Sequence, residues 1–200
     1  RLAWGDSDDT LSGVAGLYLA RTNSEDILFI RGTSEFDDEK NHLGLYSEMT
    51  YRLTDRWTLT GGLRYQRDAI ERSGTSSFAT GALDYDESFT AVLPRASIAY
   101  DLTPTSTVGA MVSKGYNPGG VNLSFATGEY IFFKEETVWN YELFGRTRLL
   151  DGRLGLSGNL FYSDYKDSQR LLPDYLNGLQ YGSVVVNAES AESYGLELAI

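Results

Sequence analysis

The chain has 200 residues, of which 17 are Lys or Arg and 28 are Asp or Glu, giving a net charge of −11. That acidity argues against a general nucleic-acid binder; the absence of cysteine excludes disulfide scaffolds and thiolate zinc sites, and a single histidine leaves almost nothing for a His-rich metal site or a Ser–His–Asp triad. Glycine at 21 and tyrosine at 14, with no run of about 18 apolar residues, exclude a membrane-spanning helix and leave a soluble all-β domain or a transmembrane β-barrel.

The chain opens Arg1-Leu2-Ala3-Trp4, followed by Asp6, Asp8 and Asp9, with neither the basic nor the apolar stretch of a signal peptide. Either a leader has been removed or the sequence starts inside a longer protein. The three aspartates lack the Gly and Glu of an EF-hand loop and read as a solvated turn. From residue 11 onward the dominant signal is period-2 alternation, the mark of strands. Leu43, Leu45, Ser47, Met49 and Tyr51 alternate with Gly44, Tyr46, Glu48, Thr50 and Arg52. After a short turn at 54–56, Trp57, Leu59, Gly61, Leu63 and Tyr65 alternate with Thr58, Thr60, Gly62, Arg64 and Gln66. The pattern returns in Trp139, Tyr141 and Leu143 against Asn140, Glu142 and Phe144, and in Leu154, Leu156 and Leu160 against Gly155, Ser157 and Phe161.

Eight strands are predicted, near 11–22, 42–53, 57–70, 88–100, 106–116, 135–150, 153–170 and 183–200. Short turns at 54–56, 101–105 and 151–152 alternate with long connections at 23–41, 71–87, 117–134 and 171–182. Asp151-Gly152 is a dipeptide favoured in two-residue hairpins. Strands longer than the usual soluble length, with turns short at one end and long at the other, predict an all-β fold: an antiparallel transmembrane β-barrel segment. Charge placement agrees, because Glu48, Arg52, Arg64, Glu142, Arg146 and Arg148 all oppose the apolar row. Charge on a lipid face costs about 2–4 kcal/mol at mid-membrane, whereas a polar lumen accepts it. A soluble sheet with one wet face gives the same alternation and stays open as an alternative.

Two strands fit less well. Pro94 lies within the fourth and removes a ladder donor, so it marks a bulge or a strand end. Lys114 falls in phase with Val108, Ala110 and Val112 and faces lipid unless it snorkels at the head-group rim. Tyr51, Trp57, Tyr100, Tyr116, Trp139 and Tyr162 are candidates for interfacial girdles.

Specific strings resemble a family. Leu53-Thr54-Asp55-Arg56-Trp57-Thr58-Leu59-Thr60-Gly61-Gly62-Leu63-Arg64-Tyr65 looks like a hairpin of TonB-dependent outer-membrane receptors. Leu93-Pro94-Arg95-Ala96-Ser97, Ser113-Lys114-Gly115-Tyr116-Asn117-Pro118-Gly119-Gly120 and Glu135-Glu136-Thr137-Val138-Trp139-Asn140-Tyr141-Glu142-Leu143 resemble later segments. Phe161-Tyr162-Ser163-Asp164-Tyr165-Lys166-Asp167 and the stretch 187–198 complete the series in the family's order. The resemblance implies a barrel of about 22 strands with a plugged lumen. It implies an interior segment of that barrel, with the plug domain and remaining strands outside residues 1–200. It also implies an outer-membrane location in a Gram-negative bacterium, uptake of a scarce ligand such as a ferric siderophore, and energy relayed by TonB through the plug. A complete eight-stranded barrel is the alternative, and requires the first and last strands to pair.

No enzyme constellation is present. Residues 115–120 are glycine-rich without the Gly-Lys-Ser/Thr of a phosphate loop. Glu35, Asp37, Asp38 and Glu39 read as a solvated loop tip, and His42 as structural or exposed. No catalytic, metal or cofactor site is expected. The expected ligand-binding residues are Phe125, Tyr130, Phe132, Phe133 and Lys134, because aromatics beside a cation suit an anionic aromatic ligand by stacking and cation–π contact. Packing of those rings within the loop is the competing reading. Arg64, Arg95 and Arg146 either attract an anion from the lumen or pair with Glu48 and Glu142 across neighbouring strands.

Overall fold

The computed structural model describes residues 1–6, 8–29 and 32–200. Its strands are β1 (Leu2–Trp4), β2 (Leu11–Phe29), β3 (Thr33–Arg52), β4 (Trp57–Thr75), β5 (Ala82–Thr103), β6 (Ser106–Asn117), β7 (Gly120–Leu123), β8 (Tyr130–Phe133), β9 (Glu136–Leu149), β10 (Leu154–Leu176) and β11 (Leu179–Ala199). One antiparallel sheet of nine strands runs β1-β2-β3-β4-β5-β6-β9-β10-β11, and β7 and β8 form a separate hairpin. β1 and β11 are the two edges of the large sheet, so among the described residues the pairing of first and last strands required by a closed eight-stranded barrel does not occur.

The register sorts the side chains as alternation predicts. Leu11, Tyr51, Leu59, Ile98, Ala110, Leu143, Leu160 and Leu196 stand opposite one another in a single row across eight strands. The next row holds Gly13, Met49, Gly61, Ala96, Val112, Tyr141, Tyr162 and Tyr194. These rows form an exposed apolar belt; Leu143 is 59% and Leu160 53% exposed. Arg64, Glu142 and Arg146 lie on the other face.

The strands outrun the expected ones. A tilted strand crosses a bilayer in about 9–11 residues, yet β10 has 23 and β5 has 22. Most of the stretches expected as long loops are instead ladder. β2 and β3 stay paired up to Phe29 and Thr33, β4 and β5 up to Thr75 and Ala82, and β10 and β11 up to Leu176 and Leu179. Residues 30 and 31, part of the first expected loop, lie outside the described residues. The β10–β11 connection is the two-residue turn Asn177-Gly178, with φ of 51° and 79°. That is the left-handed backbone an Asn-Gly hairpin supplies cheaply. At the opposite end the expected two-residue turn is wider: Leu150, Asp151 and Gly152 all have positive φ, between Leu149 and its partner Leu154. The turn at 54–56 forms as expected, with the Thr54 hydroxyl accepting from the backbone N–H of Arg56 and Trp57 at 3.2 and 3.0 Å.

Pro94 has a clear structural reading. The ladder between β4 and β5 runs through it unbroken, while the β5–β6 ladder stops one residue short, at Arg95 opposite Ser113. A residue without an N–H is tolerated where one neighbour has departed. Above this point β6 pairs only with β9, as far as Asn117 opposite Glu136.

The packed core lies on the inner face of the strand extensions. Phe36, Ile70, Leu83 and Tyr85 are buried there, with Phe89, Val121 and Tyr130 packed against them. Asp38, expected in a solvated tip, is on β3, 6% exposed, and receives Arg72 Nη1 at 2.8 Å. Glu35, Asp37 and Glu39 alternate with it on the outward face.

Candidate functional site

The connection at 117–134 does not stand away from the sheet. Its β7–β8 hairpin turns on Ser124, whose carbonyl accepts from Gly128 N–H at 2.8 Å and whose hydroxyl accepts from Thr127 N–H at 3.0 Å. Gly128 takes φ +74°, and a Cβ there would meet the Phe78 carbonyl at 2.3 Å. Opposed pairs Val121–Phe132 and Leu123–Tyr130 make one face of the hairpin; Gly120–Phe133 and Asn122–Ile131 make the other.

The first face packs on β3–β5. Tyr130 meets Phe36 edge-on at 6.4 Å, and its hydroxyl donates to the Gly81 carbonyl at 3.3 Å. Phe132 stacks on Tyr85 at 5.8 Å, and in the hairpin's turn Phe125 meets Phe78 edge-on at 5.2 Å. Burial, helped by Glu87, pushes the Tyr85 phenol up to about 12, and burial also raises Tyr130, so both rings stay neutral at ordinary pH.

The other face is tied to β10–β11. Asn122 donates to the Val185 carbonyl at 3.3 Å and accepts from the same residue's N–H. Asp174, 7% exposed, accepts from the Ser124 hydroxyl and from Ala126 N–H, all at 3.0 Å. Asn187 accepts from Lys134 N–H at 2.6 Å and donates to the Lys134 carbonyl at 3.0 Å. A hairpin that touches β3 and β11 at once needs a curved sheet, and this identifies the inner face as concave.

Between the hairpin and the inner walls of β2–β4 lies a pocket of about 680 Å³. Phe36, Phe125 and Tyr130 line it with Arg72. The Arg72 guanidinium lies 4.7 Å from the centre of the Phe36 ring and binds both Asp38 and Asp26. The volume falls within the range of about 300–1,000 Å³ usual for small-molecule sites.

The expected binding residues are therefore placed unequally. Phe125 and Tyr130 line the pocket, and Phe132 is 62% exposed on the hairpin's sheet-facing side. Phe133 belongs to the opposite face beside Gly120, and the Lys134 side chain is exposed while its backbone is clamped by Asn187. The sequence reading missed Phe36 and Arg72, because both lie in stretches taken for loops. Of the lumen arginines, Arg95 approaches Glu48 at 3.8 Å across Gly62, as cross-strand pairing predicts. Arg146 instead lies 5.5 Å over its neighbour Phe144. His42 is structural: its Nδ1 sits 2.6 Å from the fully buried Asp68, which also accepts from Gln66 at 2.9 Å.

Comparison with known proteins agrees with this geometry. The pesticin receptor of Yersinia pestis is 31% identical over 163 residues, covering 78% of this chain and 23% of the receptor. The crystal structure of the ferric yersiniabactin uptake receptor FyuA from Yersinia pestis superposes with a TM-score of 0.76 at 28% identity, over 98% of this chain and 30% of that one. The ferric-catecholate import receptor Fiu from E. coli K12 shares the fold, with a TM-score of 0.70 at 15% identity over 98% of this chain and 33% of its own. The chain thus spans about a quarter of the length of the pesticin receptor. The family model for the TonB-dependent receptor-like β-barrel matches residues 2–200, and the chain belongs to that family.

Proposed function

We propose that the protein containing this chain imports a ferric siderophore across the outer membrane of a Gram-negative bacterium, driven by TonB acting through a plug domain outside residues 1–200. In this reading the chain is one stretch of the barrel, and its role is binding and passage, with no covalent chemistry. The carrying observation is the inner-face pocket, which Phe36, Phe125 and Tyr130 line together with Arg72. Flat aromatic walls suit a ring-bearing iron chelate, while Asp26 and Asp38 already share the Arg72 charge. The relatives support the cargo class: one is named for ferric yersiniabactin uptake and another for ferric-catecholate import. Phe132 is the open ring of the hairpin, and Lys134, with no ion pair among the described residues, adds a cation beside it.

The test is binding of iron-loaded siderophores to cells carrying the full-length protein. Phe132→Ala leaves the hairpin's contacts to Phe36 and Asp174 in place, so barrel abundance should hold while affinity falls. Tyr130, Phe132 and Phe133 replaced together by alanine should lower it further. Unchanged affinity in both variants removes the hairpin from the site. Unchanged growth of a deletion strain on every iron chelate tested shows that the cargo is not iron.

A further inference from the structure

The outward face changes chemistry at one tier. Going up each strand from the apolar belt, Leu17 and Leu19 are followed by Arg21 on β2, Leu45 and Leu43 by Asn41 on β3, Tyr65 by Arg67 on β4, Val92 by Thr90 on β5 and Val112 by Lys114 on β6. Register sets Arg67 in the row of Leu19 and Leu43, and Arg21 in the next row beside Asn41 and Ala69. Ala69 is the small member of that row, and around it opens a surface pocket of about 410 Å³ lined by Leu19, Arg21, Asn41, Leu43, Arg67 and Ala69. Arg67 is exposed and has no ion pair among the described residues, while Arg21 is 62% exposed with Glu39 at 2.6 Å. Above this tier the same face becomes acidic: Glu39, Glu71 and Asp86 stand in one row, and Glu25, Asp37 and Asp84 in another.

We propose that this hollow binds a phosphorylated lipid of the surrounding leaflet, its phosphate between Arg21 and Arg67 and its first methylenes on Leu19 and Leu43. Guanidinium forks match phosphate oxygens, and they stand where apolar wall ends, at head-group height. The acidic rows above repel an anion at any higher position, so the phosphate is held at this one level. The pocket opens away from the lumen, on the opposite face from the cargo pocket, and the proposal rests on the outer-membrane reading only for which leaflet supplies the lipid.

The experiment uses the full-length protein in non-ionic detergent, with native mass spectrometry to count bound lipid A and, separately, the same glycolipid stripped of its phosphates. R21Q/R67Q should lower lipid A retention by about 25-fold, taking roughly fivefold per cation, and the dephosphorylated probe should bind wild type no better than this variant. R56Q/R153Q, which removes two charges from the opposite turns, should leave retention unchanged. Should R21Q/R67Q fail to assemble, A69L fills the hollow without altering charge and should also lower retention. Wild-type retention in R21Q/R67Q or in A69L overturns the proposal. Complete displacement of lipid A by inorganic phosphate overturns it too, since the site would then take a free anion. Cargo uptake by R21Q/R67Q is expected to persist, so loss of lipid without loss of uptake separates this site from the proposed function.

Discussion

Within one pair of strands, residues 43–51 with 59–67 and residues 33–41 with 69–75 keep the same register and reverse their polarity. In the lower stretch the outward face carries Leu43, Leu45, Met49, Leu59 and Leu63, and the inward face carries Glu48, Arg64 and Gln66. In the upper stretch the outward face carries Glu35, Asp37, Glu39 and Glu71, and the inward face buries Phe36 and Ile70. The backbone is continuous through the change. What changes is the medium outside, from one that excludes charge to one that solvates it, so the polarity switch marks the level at which the wall leaves the membrane. Above that level the protein needs a core of its own, and the β7–β8 hairpin supplies its other half.

This contrast predicts unequal costs for the same truncation. Leu83, 5% exposed, packs in the upper core. Leu83→Ala should cost about 2–5 kcal/mol of local stability, because it leaves a cavity under the hairpin. Leu63→Ala in the belt, where the side chain is 53% exposed, should cost under about 1 kcal/mol. Hydrogen exchange across residues 82–87 and 120–133 of the full-length protein reads the first effect, and equal protection in both variants would remove the distinction.

The reciprocal test adds charge. Leu143→Arg places a cation in the middle of the belt and should cost about 2–4 kcal/mol, seen as a smaller fraction of heat-modifiable barrel in membranes. Ser73→Arg, outward in the upper stretch between Asp37 and Asp84, should change stability by no more than about 0.5 kcal/mol. A comparable loss in both would mean that the belt ends higher than the polarity switch.

The lower stretch was legible in the sequence because its alternation sets leucine against arginine and glutamate, a contrast a period-2 reading detects. The upper stretch was not, because an acidic outward face in β3 reads as a solvated loop. Signals were nevertheless present. Leu83-Asp84-Tyr85-Asp86 alternates cleanly with inverted phase, and Asn177-Gly178 is a strong two-residue hairpin signal inside a segment taken for a loop. Of the site, the aromatic richness of 117–134 was visible. Its partners Phe36, Arg72 and Asp174 were not, because long-range contacts between hairpins are set by the curvature of the sheet and leave no local pattern.

The hairpin's anchorage sharpens the comparison, since it is held by packing on one side and by polar contacts on the other. Asp174 accepts from two donors in a buried setting, the Ser124 hydroxyl shared between its two oxygens and the Ala126 N–H. Asp174→Ala strips the Ser124 hydroxyl and Ala126 N–H of their acceptor and should cost about 1–3 kcal/mol. Exchange should rise at residues 124–128 while the Phe36–Tyr130 contact keeps 130–133 protected. Uniform loss across 120–133 would show that the two sides act as one unit.

The smallest effect lies on the outward face just above the polarity switch. The Asn41 amide, bonded to Glu39 at 2.8 Å, is the main cause holding that carboxyl below its ordinary 4.5; burial opposes it, and the Arg21 guanidinium adds a smaller lowering by hydrogen bond and charge. A carboxyl whose pKa is lower folded than unfolded stabilises the fold above the unfolded value, and that contribution is lost as pH falls through the folded value. Arg21 is exposed and Glu39 half-buried, at 62% and 29% of their side chains, so the contribution is small and salt-screened. Exchange at residues 38–41, followed from about pH 7 to about pH 3 at low salt, should loosen below 4.5 in the wild type. In Glu39→Gln it should vary less over the same window, because the glutamine keeps a hydrogen-bonding side chain but has no proton to gain. Superimposable profiles would show that this pair adds nothing, and would leave Arg21 free of competition at the margin of the belt.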